Sequence, residues 1–209
     1  ALLSWRAVMQ QWDGSGYRLI APDLPGYGAS GKPDVEYSAD YYADFLQRFI
    51  AALGLECPVL CGFSMGGTVA LQYALHHPES VEKLVLLAPW GISRHVPLHR
   101  LGAWYARSPL NRWSYRLFAN RWLARQMIAA TLIGDPRRIT PEMVEEVRAV
   151  ALEKDAGKAF QSFQISEIGS GKPIGRLLAE LSKLPMPVLF VQGEDDPGVP
   201  LADAQAAAK

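Results

Sequence analysis

The sequence predicts an α/β protein: a mostly parallel sheet flanked by helices, interrupted by a helical insertion. Three observations lead there. Short apolar runs without polar alternation recur at Cys57–Phe63, Lys83–Ala88 and Pro187–Gln192. Such runs suit strands covered on both faces, as in a parallel sheet between helices. Amphipathic helical spacing follows or precedes each run. From Gly91 to about Lys183 the strand–helix rhythm stops and the pattern is mostly helical.

Composition bounds the rest. The chain has 209 residues, 49% hydrophobic and 20% charged, with zero formal net charge. That suits one soluble domain with a large insertion. Its charge does not point to nucleic acid, and no apolar run approaches the ~18 residues of a membrane span. Cys57 and Cys61 lie four apart on one strand. At about 3.3 Å per residue they sit ~13 Å apart, too far to bridge. They read as reduced core residues, which fits a cytoplasmic protein. No His/Cys/Asp cluster has metal-ligand spacing, so no metal and no cofactor is expected.

In order along the chain, Ser4–Trp12 reads as a helix and Tyr17–Asp23 as a strand bounded by Gly16 and a turn after Pro22. Asp23–Pro33 is a loop dense in turn residues, without a phosphate-binding pattern. Ser38 offers an N-cap to a helix carrying Tyr42, Phe45, Leu46, Phe49 and Leu53, and Gly54 is its stop. Thr140 and Pro141 open a helix that reaches about Asp155. Gly169–Pro173 is a loop, and Gly193–Pro200 is an acidic turn.

The stretch that carries chemistry is Gly62-Phe63-Ser64-Met65-Gly66, between a buried strand and a helix running to Pro78. G-x-S-x-G is common by itself; a strand before and a helix after are the context that gives it weight. In that context it is a nucleophile elbow, with Ser64 strained and lifted above the sheet edge. Gly62 and Gly66 are expected where a Cβ would be in the way. The helix N-terminus turns N–H groups toward the site, so the Met65 N–H is a candidate oxyanion donor.

These residues resemble the α/β-hydrolase superfamily. Asp23-x-x-Gly26-x-Gly28-x-Ser30 is similar to its loop after the fourth strand, and Gly62–Gly67 to its elbow. Leu84–Pro89 is similar to its sixth strand, and Gly193-x-x-Asp196-x-x-x-Pro200 to its acid-bearing segment. The resemblance implies a core over 1–91 and 184–209 with a cap or lid over 92–183. It implies Ser64 as nucleophile and Asp196 as triad acid, with Asp195 the rival. The substrate class it implies is a small-molecule carboxylic ester with an apolar acyl part. Carbon–carbon hydrolysis of a diketone, perhydrolase-like chemistry and a non-catalytic receptor share the fold.

Two departures stand out. No histidine follows Asp196, although the family order is Ser, acid, His. His76 and His77 end the elbow helix about 18 Å from Ser64 at 1.5 Å per residue. His95 and His99 follow the sixth strand, and either would break the order as base. The His-Gly stretch that supplies a second oxyanion donor would precede Ala1. The chain thus reads as a fragment, expected to lack full activity alone.

The first half of the insertion is basic and aromatic. Arg94, Arg100, Arg107, Arg112, Arg116, Arg121 and Arg125 alternate with Trp104, Tyr105, Trp113, Tyr115, Phe118 and Trp122. A basic amphipathic surface can lie on an anionic membrane or accept acidic substrates. The reading preferred from sequence is a solvated arginine face with the aromatics packed onto the core or roofing the cleft.

Overall fold

Parallel pairing needs apolar strands whose neighbours rise from the same direction, and three of the apolar runs meet that condition. In the computed structural model, which describes residues 2–14, 16–93, 99–169, 175–196 and 198–208, they form β1 (Val59–Phe63), β2 (Lys83–Leu87) and β3 (Val188–Val191). The order is β1-β2-β3, all parallel, with Leu60 opposite Leu84 and Leu84 opposite Val188.

Ten helices are described, in chain order: α1 (Leu2–Gln11), α2 (Ala39–Ala52), α3 (Met65–His76), α4 (His99–Arg107), α5 (Pro109–Tyr115), α6 (Arg121–Thr131), α7 (Pro141–Leu152), α8 (Lys158–Gln164), α9 (Arg176–Glu180) and α10 (Leu201–Ala207). Their ends follow the capping chemistry of the sequence. Ser38 caps α2 by accepting from the Tyr41 N–H, and Gly54 follows at φ 61°. Thr140 caps α7 with Pro141 at its first turn; α7 stops at Leu152, three residues short of the expected Asp155. No strand occurs among the described residues of 92–183.

The described residues group into two compact units, Ala1–Val35 with Pro109–Phe160, and Glu36–Ser108 with Gln161–Lys209. These cuts fall elsewhere than the expected boundaries 1–91, 92–183 and 184–209. In the first unit, ion pairs tie the N-terminal stretch to the inserted helices: Arg6 with Glu146, Lys32 with Glu153 at 2.7 Å, and Lys158 with Asp34 at 2.8 Å. Its apolar centre is Ala124, Ile128, Ile139, Val144 and Val147.

The second unit holds the sheet. Helix α3 is buried continuously from Gly67 to Ala74, so it is covered all round rather than along one stripe. It packs with α2 on the sheet face presented by Leu60, Leu84, Leu86, Val188 and Phe190. The opposite row is less covered. Cys61 stands opposite Val85, and Val85 opposite Leu189; Leu189 and Val191 are exposed.

Four sequence expectations change. Tyr17–Asp23 is not a strand, because no ladder among the described residues reaches it. Cys57 and Cys61 are free, as expected, yet both are exposed rather than in the core, since Cys61 lies in the uncovered row. Strands covered on both faces are not what the described residues show for β1 and β3. Trp104, Trp113 and Trp122 point to solvent instead of packing down. His95 and most of the Gly169–Pro173 loop lie outside the described residues.

Candidate active site

The elbow is a turn that side chains would block. A Cβ on Gly62 would stand 2.4 Å from the Gly66 carbonyl oxygen and 2.6 Å from the Gly67 Cα. One on Gly67 would meet Pro89 Cβ at 2.8 Å. Gly66 has open space at its Cβ position, so the crowded pair is Gly62 and Gly67, not Gly62 and Gly66 as expected. The reason is helical phase: Gly67 faces back onto the sheet while Gly66 faces out.

Between them Ser64 adopts φ 51°, ψ −117°, a conformation that costs a non-glycine residue about 1–3 kcal/mol. Hydrogen bonds over-determine it. The Ser64 N–H donates to Leu87 O at 2.9 Å, continuing the β1–β2 ladder past the strand end. The Ser64 carbonyl accepts from Gly67 N at 2.9 Å, and from Thr68 N and Trp90 N at 3.2 Å each. Thr68 Oγ1 in turn donates to Trp90 O at 2.6 Å. The Ser64 side chain is exposed and makes no capping bond to α3. Met65, half-buried, is the first residue of α3.

Ala88, directly after β2, also has a positive φ, 42°. Its N–H donates to Val191 O at 3.0 Å. Two strained residues thus end adjacent strands, and the sequence reading missed Ala88. A short Ala-Pro-Trp-Gly after an apolar strand was the available signal.

Asp196 lies on the turn after β3. Its Oδ1 accepts from the Gly198 N–H at 2.7 Å and the Val199 N–H at 3.0 Å. Its Oδ2 accepts from Gln192 Nε2 at 2.8 Å, which also donates to Val199 O at 2.8 Å. Asp196 is half-buried; Asp195 is exposed and has no such cradle. Ser64 and the Asp196 turn both follow the C-terminal ends of their strands. With strands about 4.8 Å apart, the ends of β1 and β3 are about 10 Å from each other across β2. This is the edge where open parallel sheets bind ligands.

A polar cluster that the sequence reading missed lies beside these turns. Glu167, with its side chain 7% exposed, pairs with Arg176 at 3.1 Å. Arg176 also donates to Gln72 Oε1 at 2.9 Å, and Gln72 Nε2 reaches Asp40 at 2.9 Å. The signal was Gln72, a long polar side chain inside the buried run of α3. Thr68, Trp90, Ser93, His99, Glu167 and Arg176 line a cavity of about 70 Å³ that Gly198 also borders. Ser93 Oγ and His99 Nε2 are buried and make no hydrogen bond among the described residues. His99 therefore shares a cavity with residues that brace both turns. His76 is exposed at the far end of α3 against Gln72, and the His77 ring is tilted against Tyr73 at 4.9 Å. Among the described residues no group of His, Cys, Asp and Glu could hold a metal ion.

Known proteins agree with this architecture. The family model described as alpha/beta hydrolase fold matches residues 1–209. A 2-hydroxymuconate semialdehyde hydrolase from a Pseudomonas species is 42% identical over 94 residues, 44% of this chain and 33% of that protein. A 2-hydroxy-6-oxo-6-(2'-aminophenyl)hexa-2,4-dienoic acid hydrolase from Metapseudomonas resinovorans is 29% identical over 195 residues, 90% of this chain and 61% of that protein. The chain thus spans less than two thirds of either relative. A meta-cleavage product hydrolase from Pseudomonas fluorescens superposes with a TM-score of 0.75 at 24% identity, covering 99% of this chain and 72% of that one. At that identity the likeness speaks for the fold alone. With a family match over its whole length and an elbow at the end of a parallel strand, the chain belongs to the α/β hydrolase fold family.

Proposed function

We propose that the chain supplies the nucleophile and the acid of a serine hydrolase acting on carboxylic esters with an apolar acyl part. The observation that carries this reading is Ser64, exposed and strained between β1 and α3. A serine hydroxyl attacks only when a base takes its proton. Ser64 Oγ then bonds to the ester carbonyl carbon, and the carbonyl oxygen becomes an oxyanion. In this reading the amide of Met65, first residue of α3, stabilises that charge with the helix dipole behind it. Collapse expels the alcohol, which takes the proton from the base. Water, deprotonated by the same base, releases the acid and restores Ser64.

The base is a histidine oriented by Asp196, whose carboxylate is already fixed by two amides and Gln192. By the family's order that histidine follows the acid. His99 is the competing base, favoured by its place in the cavity beside both turns.

A second substrate class has a specific observation behind it. The two curated relatives above are named for oxo-dienoic acid and semialdehyde substrates. Hydrolysis of a carbon–carbon bond beside a ketone would use the same serine and oxyanion donor.

The test uses the protein that carries this chain and a fluorophosphonate probe. Labelling that vanishes in Ser64→Ala is the expected result; labelling that persists there overturns the reading. Rates on p-nitrophenyl esters and on a 2-hydroxy-6-oxo-dienoate then separate the two substrate classes. His99→Gln is expected to change either rate by less than about threefold, whereas loss of a general base costs ~10²–10⁴-fold.

A further inference from the structure

Within the first compact unit, the segment from α5 to α6 has two apolar faces where its own core uses one. Inward, Tyr115 stands edge-on to Phe118 at 6.2 Å and to Phe160 at 6.4 Å, and Ala124 and Ile128 are buried. Outward, Leu110 and Trp113 stand at i and i+3 on α5, the spacing of one helical face, and Leu117 follows in the 3-10 helix Arg116–Ala119. They are 54%, 58% and 41% exposed, and Trp122 at the start of α6 is 66% exposed. An aromatic side chain is worth about 1.5–3 kcal/mol when it leaves water. An outward row of this kind is a surface waiting for a partner rather than scattered exposure.

The charges around the row select the partner. Arg112, Arg116 and Arg121 are exposed at the positions beside it. Between residues 109 and 140 the sequence holds six arginines and one acid, Asp135. Arg112 is 3.8 Å from Asp155, and Arg121 bonds Glu145 at 2.6 Å. Both pairs are solvent-exposed, so they are weak and exchangeable. A twofold contact with a second copy would set arginine against arginine. A polyanionic partner with an apolar interior meets both features at once.

We propose that this face docks on an anionic lipid surface. The indoles of Trp113 and Trp122 sit at headgroup level, Leu110 and Leu117 reach the acyl boundary, and the guanidinium groups meet phosphates. The inference is independent of the role of Ser64.

The test is sedimentation of the protein carrying this chain with vesicles of phosphatidylcholine alone, or with about a third phosphatidylglycerol. Binding is expected on the anionic vesicles, at least tenfold tighter than on neutral ones and falling as salt rises. The tryptophan emission should shift to the blue on binding. The pair Trp113→Ser with Trp122→Ser, and separately Arg112→Gln with Arg116→Gln, should each weaken binding about tenfold. Both pairs are at exposed positions, and both should leave phosphonate labelling of Ser64 unchanged. Equal binding to neutral vesicles, no binding, or binding indifferent to both pairs overturns the proposal. So does concentration-dependent self-association that the tryptophan pair abolishes, which would make the face a contact between copies. A changed KM for a soluble ester without lipid binding would make it a substrate wall instead.

Discussion

At the elbow, position is fixed by what is missing. Gly62 and Gly67 carry no side chain, backbones approach to within a few ångströms, and Ser64 is forced into φ 51°. At the acidic turn, position is fixed by what a side chain supplies. The Asp196 carboxylate gathers two backbone amides and the Gln192 amide, and the loop folds around those bonds. Both turns follow strands of one parallel sheet, and both serve the same edge. The difference predicts opposite sensitivities. The elbow should resist added atoms, and the acidic turn should resist the loss of acceptors.

The largest effect expected from this contrast is on activity. Asp196→Asn keeps an acceptor oxygen for the Gly198 and Val199 amides, but turns an NH2 group toward Gln192 Nε2 and removes the charge that, in the proposed mechanism, orients a histidine. Turnover should fall about 10³–10⁴-fold, with a loss of stability of only about 1–2 kcal/mol from the broken Gln192 contact. Loss of less than tenfold would mean that Asp196 is a turn-former only. Next comes Gly62→Ala. Its methyl group would meet backbone atoms at 2.4–2.7 Å, which cannot rotate away. Overpacking of that kind costs about 3 kcal/mol, a fall of roughly 10 °C in melting temperature for a chain of this size. Gly67→Ala meets Pro89 at 2.8 Å and should cost less, about 1–2 kcal/mol. On the other turn, Gln192→Ala removes two hydrogen bonds, to Asp196 and to Val199 O. That should cost about 1.5 kcal/mol in chemical denaturation, because the half-exposed Asp196 carboxylate regains water while the carbonyl of buried Val199 loses a partner.

Much of the elbow could be read directly from residues. Gly-x-Ser-x-Gly between an apolar run and a helix leaves few backbone solutions, so Ser64, Met65 and the helix start followed from local rules. The helix caps at Ser38 and Thr140 were legible for the same reason: a side chain bonds its own next turn. The strands β2 and β3 were legible by apolarity, but the number of covered faces was not. Coverage depends on which helices arrive from elsewhere in the chain. Tyr17–Asp23 shows the same limit, since a strand is a property of a pair and its sequence describes one member. Gln72 hinted at the Glu167–Arg176–Gln72 cluster, but its partners were not legible, since Arg176 lies 104 residues from Gln72 and meets it only after packing. The outward tryptophans were misread because amphipathic spacing gives the width of a face, not the direction in which it points.

The smallest predicted effects are the sharpest check on the contrast, because they concern neighbours of the sensitive residues. Gly66 sits between Met65 and Gly67, yet a Cβ there meets nothing within 4 Å, and its φ is not among the positive ones. Gly66→Ala should therefore be neutral or slightly stabilising, since alanine in a helix is favoured over glycine by about 0.5–1 kcal/mol. Asp195 adjoins Asp196 but is exposed and cradles nothing, so Asp195→Asn should shift stability by less than about 0.5 kcal/mol and leave turnover intact. Thermal melts and ester turnover of these two variants, measured beside Gly62→Ala and Asp196→Asn, give two matched pairs. If Gly66→Ala destabilised as much as Gly62→Ala, the elbow would be intolerant of side chains in general rather than at the points of backbone contact. If Asp195→Asn cost as much turnover as Asp196→Asn, the hydrogen-bonded cradle would not be what selects the acid.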